Sequence, residues 1–201
     1  MKILGIIPAR GGSKGIPKKN IKLLGGIPLI EYTAKSALAA RLLSRVIVSS
    51  DDPEIIQAAQ KFDLEVPFTR PENLSQDETP TLLVIKHALE YFEQKNEYFD
   101  AICLLQVTSP FRDPELIDNA IEKFKNEQLD SLVSVREVPS DFNPHWIFEV
   151  NSKDQLKIAT GEEKIISRRQ ELPKAFHRDG AIYITRTEVI TNQNSLYGNS
   201  I

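Results

Sequence analysis

Short β-branched runs alternate along this chain with longer stretches of helical period. KILGII reads as a strand, and LIEYTAKSALAARL, following Pro28, reads as a helix with proline in its first turn. RVIVSS is a second strand ending at Asp51 and Asp52; Pro53 then opens the helix PEIIQAAQKF, and EVPFT is a short third strand. From Thr79, TPTLLVIKHALEYFEQK puts Leu82, Ile85, Leu89 and Phe92 on one face, the spacing of a core-facing stripe. AICLLQV is apolar without interruption, as expected of a strand covered on both sides. The helix opened by Pro114 is expected to bury Leu116, Ile117, Ala120, Ile121 and Phe124, and DSLVSV returns as a strand. The series predicts βαβ units around a mostly parallel sheet.

The rhythm breaks near Val138. Over 139–160, HWIFEV and LKIAT are separated by the polar turn NSKDQ with no helical stretch between them, which predicts an inserted β-hairpin. GAIYIT then resumes an apolar strand. The 201 residues suit one domain, 1–201, carrying this hairpin.

Composition changes this picture little. Hydrophobic residues at 41% and charged residues at 26% exclude a disordered or fibrous class. No apolar run approaches the roughly 20 residues of a membrane-spanning helix, and the first apolar run stops at Pro8 without a signal-peptide cleavage region. A cytoplasmic protein, with no membrane partner, is the expectation. Cys103, the single cysteine, lies in a strand pattern and is expected to be buried. The net charge of −3 gives no reason to expect a nucleic-acid partner, but its distribution is uneven. No acidic residue occurs before Glu31, whereas Lys2, Arg10, Lys14, Lys18, Lys19 and Lys22 are basic, so the field around the first loop is positive.

That loop is IIPARGGSKGIPKKN, at the end of the first strand, where open α/β sheets bind their ligands. Gly11, Gly12 and Gly15 let the backbone approach a ligand and turn N–H groups inward, and Arg10 and Lys14 add charge. A phosphate fits these needs. Neither the P-loop spacing nor the G-x-G-x-x-G fingerprint is present, so a glycine-rich surface turn with solvated lysines also fits the stretch taken alone. LLQVTSPFR ends the central strand with Gln106, Thr108, Ser109 and Arg112, donors suited to hydroxyls, amides and a carboxylate; a Ser-Pro turn before a helix is the plainer reading. Arg70 precedes a proline and by itself marks a turn. His87, His145 and His177 are too widely spaced for a metal site, and Trp146 reads as hairpin or interface packing.

Taken together and in order, IIPARGGSKGIPKKN, RPENLSQDETPT, LLQVTSPFR and RRQELPKAFHRDGAIYI closely resemble the acylneuraminate cytidylyltransferases, the CMP-sialic acid synthetase family. The resemblance runs to about Ile184. It implies a three-layer α/β/α nucleotidyltransferase fold with a mostly parallel, mixed sheet, joining CTP to a 2-keto sugar acid with Mg²⁺ and releasing pyrophosphate. Arg10, Gly11, Ser13, Lys14, Lys19 and Asn20 match the loop that holds the CTP phosphates, Arg10, Lys14 and Lys19 offsetting charge during transfer, and Arg70 matches a residue near the cytosine. Thr81, Gln106, Arg169 and Tyr183 match positions lining the sugar pocket, with Arg169 the candidate for the sugar carboxylate. The hairpin corresponds to a dimerisation element, which implies a homodimer.

Two departures bear on substrate and metal. Asp179 stands before Gly180 where the family often has asparagine, replacing an amide by an acceptor-only carboxylate in the sugar pocket. The resemblance implies a metal-binding aspartate pair beyond residue 201, and no residue from Thr191 to Ile201 is acidic, so the chain as it stands is expected to bind CTP with poor turnover. Sialic, pseudaminic, legionaminic and octulosonic acids are all compatible acceptors. Another sugar nucleotidyltransferase or a nucleotide-sugar glycosyltransferase, and a catalytically silent nucleotide-binding protein, are the alternatives.

Overall fold

A computed structural model describes residues 1–12 and 14–201; Ser13 lies outside the described residues. In chain order the elements are β1 (Ile3–Pro8), β2 (Leu23–Leu24), β3 (Ile27–Pro28), α1 (Leu29–Ala39), β4 (Arg45–Ser49), α2 (Pro53–Lys61), α3 (Thr81–Glu93), β5 (Ala101–Leu104), α4 (Pro114–Asn126), β6 (Ser131–Glu137), β7 (Phe148–Val150), β8 (Leu156–Ile158), β9 (Phe176–Arg186) and α5 (Thr187–Asn192). They group into two compact units, Met1–Ser134 with Gly180–Ile201, and Val135–Asp179.

The first unit is built on a sheet of order β4-β1-β5-β9-β6. β1 pairs in parallel with β4 (Ile6↔Ile47) and with β5 (Ile6↔Leu104), whereas β9 runs antiparallel to β5 (Leu104↔Tyr183), so the sheet is mixed. Strand alternation sends successive side chains to opposite faces. Ile3 and Ile7 of β1, Cys103 of β5 and Ile184 of β9 pack with Ile30, Ile55, Ile117 and Phe124 of α1, α2 and α4. Leu4, Ile6, Ile102, Leu104 and Tyr183 pack on the other face with Ile85, Phe92 and Ile190 of α3 and α5. The result is the expected three-layer α/β/α arrangement. Each of these fully buried isoleucines favours the folded state by about 1.5–3 kcal/mol. Cys103 is buried as expected, and burial pushes its thiol pKa up to about 12.

Several expectations need correction. EVPFT makes only isolated parallel bridges to β4, at Ile47↔Glu65 and Ser50↔Thr69, because Pro67 lacks the donor a continuous ladder requires. α3 starts at Thr81, with Pro80 in extended conformation as its cap. Leu116 is 44% exposed: the inner face of α4 is the stripe Ile117, Ile121 and Phe124, and Leu116 falls about 100° away from it. β2 and β3 form a small hairpin around Gly25 and Gly26, both at positive φ, for which LLGGIP is the sequence signal.

In the second unit the hairpin is present, β7 pairing antiparallel with β8 (Phe148↔Ile158, Val150↔Leu156). Its first strand is shorter than HWIFEV, since Pro144–Trp146 forms a 3₁₀ turn in which Asn143 Oδ1 accepts from the His145 N–H. Trp146 is a hairpin-packing residue here, its indole N–H donating to the Ile166 carbonyl at 2.6 Å.

Candidate active site

Parallel pairing brings the carboxyl ends of β4, β1 and β5 to one edge of the sheet, and the loops leaving those ends wall a cavity of about 300 Å³. From the β1 loop come Pro8, Arg10, Lys19 and Asn20; from the segment before α3, Arg70, Leu74, Gln76, Asp77 and Thr79; from α3, Thr81 and Val84; and from the β5 end, Gln106, Val107 and Thr108. Among the described residues, three cations thus face a space with a single carboxylate.

The loop conformation follows from local contacts. Gly11 donates its N–H to Asp51 Oδ1 at 3.1 Å, and a Cβ there would lie 2.5 Å from Asp52 Oδ2, so no larger residue fits. Asp52 is itself fixed, its carboxylate accepting from the Glu54 and Ile55 N–H groups as the cap of α2. Asn20, buried, donates from Nδ2 to the Arg10 carbonyl at 2.9 Å and so ties the far side of the loop to its start. Lys18 adopts φ 50°, unusual for a residue with a side chain, before the 3₁₀ turn Lys19–Ile21; its ammonium pairs with Glu54 at 2.6 Å while Lys19 lines the cavity.

Arg70 is 4% exposed and anchored by its Nε to Ser49 Oγ at 3.0 Å and by Nη2 to the Ser49 carbonyl. Burial lowers its pKa to about 10, Asp51 opposing and Arg10 assisting the shift, and it remains charged at neutral pH. Arg10 donates from Nη1 to the Gln76 carbonyl at 2.7 Å and pairs through Nη2 with Asp77 Oδ1 at 2.5 Å. Lys14 takes the other oxygen, its Nζ 2.5 Å from Asp77 Oδ2. The Lys14 contact, with Arg10 behind it, holds the Asp77 carboxyl below its ordinary pKa.

Of the residues singled out in the sequence, Arg10, Lys19, Asn20, Arg70, Thr81, Gln106 and Thr108 thus line one cavity, and Gly11 and Lys14 belong to its loop. Ser109 and Gln106 lie against Gly180, where a Cβ would meet Gln106 Oε1 at 2.8 Å and Ser109 Oγ at 3.2 Å. Arg112 is buried and turned toward the protein, donating to the carbonyls of Ala181 (2.7 Å) and Gln106 (2.9 Å); it positions the β5 turn. Tyr183 is buried within β9. Arg169 and Asp179 belong to the second unit: Arg169 lines a cavity of about 420 Å³ with Ser140, to whose Oγ its Nε donates at 2.7 Å, and Asp179 lies 3.8 Å from Arg136. Sequence reasoning missed Gln76, Asp77 and Thr79, although all three stand inside the quoted RPENLSQDETPT, and missed the two aspartates after β4 as supports of the loop.

Among the described residues no group of three or more His, Cys, Asp or Glu could hold a metal ion, and the cavity's one carboxylate is bound to Arg10 and Lys14. These residues do not form a metal site by themselves. Among the described residues, too, no helix is long and apolar enough to cross a membrane.

Comparison with known proteins places the chain among named relatives. A pseudaminic acid cytidylyltransferase of Campylobacter jejuni is 36% identical over 197 residues, covering 98% of this chain and 84% of the relative. A CMP-N,N'-diacetyllegionaminic acid synthase of Legionella pneumophila is also 36% identical, over 98% of this chain and 83% of its own length. The solved structure of a CMP:2-keto-3-deoxy-manno-octonic acid synthetase complexed with CTP shares the fold, with a TM-score of 0.71 at 22% identity, over 96% of this chain and 78% of that one. The model of the cytidylyltransferase family matches residues 4–197, from the first strand through the last helix, and the chain belongs to that family.

Proposed function

We propose that the chain transfers the CMP group of CTP to a hydroxyl of a sialic-acid-type 2-keto sugar acid. The observation that carries this reading is the cavity at the ends of β1, β4 and β5, where Arg10, Lys19 and Arg70 converge beside a loop too tight at Gly11 for any side chain. The relatives named for pseudaminic and diacetyllegionaminic acids support the acceptor class.

The chemistry asks for little covalent help from the protein. The sugar hydroxyl oxygen forms a bond to the α-phosphorus, the bond from that phosphorus to the bridging oxygen breaks, pyrophosphate leaves and the hydroxyl proton is lost. Positioning and offset of developing charge carry such a reaction. In this reading Arg10, Lys14 and Lys19 bind the triphosphate, Arg70 bounds the base end, and Thr81, Gln106 and Thr108 offer neutral partners to hydroxyls and amides. Mg²⁺ accompanies CTP on the same reading, held largely by phosphate oxygens and water, as small hard cations commonly are at such sites. A cytoplasmic location is part of the same proposal, since CTP is at hand there.

The proposal includes a homodimer formed through the second unit, whose hairpin strands carry Phe148, Val150 and Leu156 with substantial exposure. The catalytic reading is tested by measuring pyrophosphate release with each of the four ribonucleoside triphosphates and a panel of nine-carbon 2-keto sugar acids. Release with CTP that depends on one class of acid is the expected result; release independent of any acid, or favouring UTP or ATP, would contradict it.

A further inference from the structure

Asp77 occupies an unusual place. The cavity draws three cations from two segments and, among the described residues, one carboxylate, whose two oxygens are divided between two cations: Oδ1 on Arg10 and Oδ2 on Lys14, each at 2.5 Å. A carboxylate bridging two bases in this way presents the same pair of charged oxygens that a phosphate would. Lys19, by contrast, has no carboxylate partner among the described residues.

We infer that Asp77 is an internal competitor for the triphosphate seat, an anion that holds Arg10 and Lys14 until the nucleotide displaces it, and that it thereby lowers the affinity for CTP. The inference rests on the proposed triphosphate-binding role of the cavity.

The surrounding structure permits the exchange. Asp77 lies on a strap fixed at one end by the Arg70 N–H on the Ser50 carbonyl (2.8 Å) and by the Arg70 guanidinium on Ser49, and at the other by the start of α3 at Thr81. Between these anchors the strap is joined to the phosphate loop by the Arg10 contacts to Gln76 and Asp77 and by Lys14. The two ion pairs differ in exposure, the Lys14 side chain being 80% exposed, and neither is enclosed in the interior. The Lys14 pair is open to solvent and the Arg10 pair partly so, and solvent screening leaves such pairs weak enough for a polyanion to displace; their loss frees two bases already gathered at one point. The uncommitted Lys19 supplies the first contact for the incoming phosphates, and Arg10 and Lys14 follow as Asp77 lets go. Like charges repel at this range, so an ionised Asp77 also opposes the triphosphate directly.

Titration calorimetry of the unmodified chain and of Asp77→Asn and Asp77→Ala, with CTP and with inorganic tripolyphosphate, tests the inference; Glu78→Gln controls for net charge. With the two pairs removed, both Asp77 variants should bind both ligands about 3- to 30-fold tighter, whereas Glu78→Gln should change affinity less than about twofold, as expected of a screened charge outside the pairing. Unchanged or weaker binding by both Asp77 variants, in a chain that itself binds CTP, would overturn the competitor role and leave the triphosphate seat standing. An equal gain in Glu78→Gln would also overturn it, since net charge would then account for the effect. Failure of the unmodified chain and of every variant to bind either ligand would overturn the seat and the competitor together.

Discussion

At the scale of single residues, charged groups in this fold act through the backbone they hold. Asp118 of α4 is buried, yet accepts hydrogen bonds from the Leu42 N–H at 3.0 Å, the Arg41 N–H at 3.2 Å and Arg41 Nε at 3.4 Å, fastening the connection between α1 and β4. Burial is the largest single influence and opposes ionisation, but these donors together outweigh it and the pKa is lowered. A depressed carboxyl contributes stability that is present above its unfolded value and lost as pH falls through the folded one. Asp118→Ala is therefore expected to cost about 1–3 kcal/mol at neutral pH, the range for a buried donor left without its acceptor. The difference from the unmodified chain should begin to shrink as pH falls past the ordinary aspartate value near about 4, and close only below the lowered folded-state value, where both folded and unfolded chains have lost the carboxylate. Urea unfolding at pH 7 and at pH 3 checks this; equal stability at pH 7 would contradict the fastening role. Sequence pattern could not show this pairing, because it joins α4 to a loop more than seventy positions earlier, and periodicity reports only which face of a helix is apolar. The same limit hid Asp77: nothing in RPENLSQDETPT says that its aspartate meets Arg10 and Lys14. It also left the direction of Arg112 open, a residue whose guanidinium turns to the Gln106 and Ala181 carbonyls.

At the scale of elements, what was legible was what periodicity encodes. The runs in β1, β4 and β5 and the stripes of α3 and α4 are core positions in the structure, with Leu116 the exception at a stripe edge. Elements set by turn chemistry were less visible: the Gly25–Gly26 hairpin went unread, and Pro67 reduced an expected strand to two bridges. The β7–β8 hairpin was legible because a polar turn separates two apolar runs. Two strands of three residues cannot bury Phe148, Val150 and Leu156, and Leu156 remains 68% exposed. The homodimer proposed above would cover these side chains. Sedimentation should show a dimer at micromolar concentration, and Leu156→Glu should weaken it by at least about 1.5 kcal/mol, the lower value for burying a leucine side chain. A monomeric unmodified chain under these conditions would contradict the dimer.

At the scale of the whole molecule, the site depends on the order of the strands. Placing β1 between β4 and β5, all parallel, sets three strand ends side by side, and the acid-free first thirty residues supply the loop proposed above as the triphosphate seat. The net charge of −3 conceals this local excess of positive charge, so the sequence distribution was more informative than the total. Membership of the cytidylyltransferase family over residues 4–197 agrees with a chain organised around that edge. Lys19 is the cleanest probe of the claim that the cavity seats the CTP triphosphate, because Lys14 and Arg10 are also engaged with Asp77 and their removal would change two contacts at once. The decisive measurement is the calorimetric affinity of Lys19→Ala for CTP, inorganic tripolyphosphate and cytidine beside that of the unmodified chain. Loss of one charge-assisted phosphate contact should weaken CTP and tripolyphosphate alike by about 2 kcal/mol, roughly thirtyfold, and leave cytidine unaffected. Undiminished affinity for both phosphorylated ligands would mean that the triphosphate lies elsewhere.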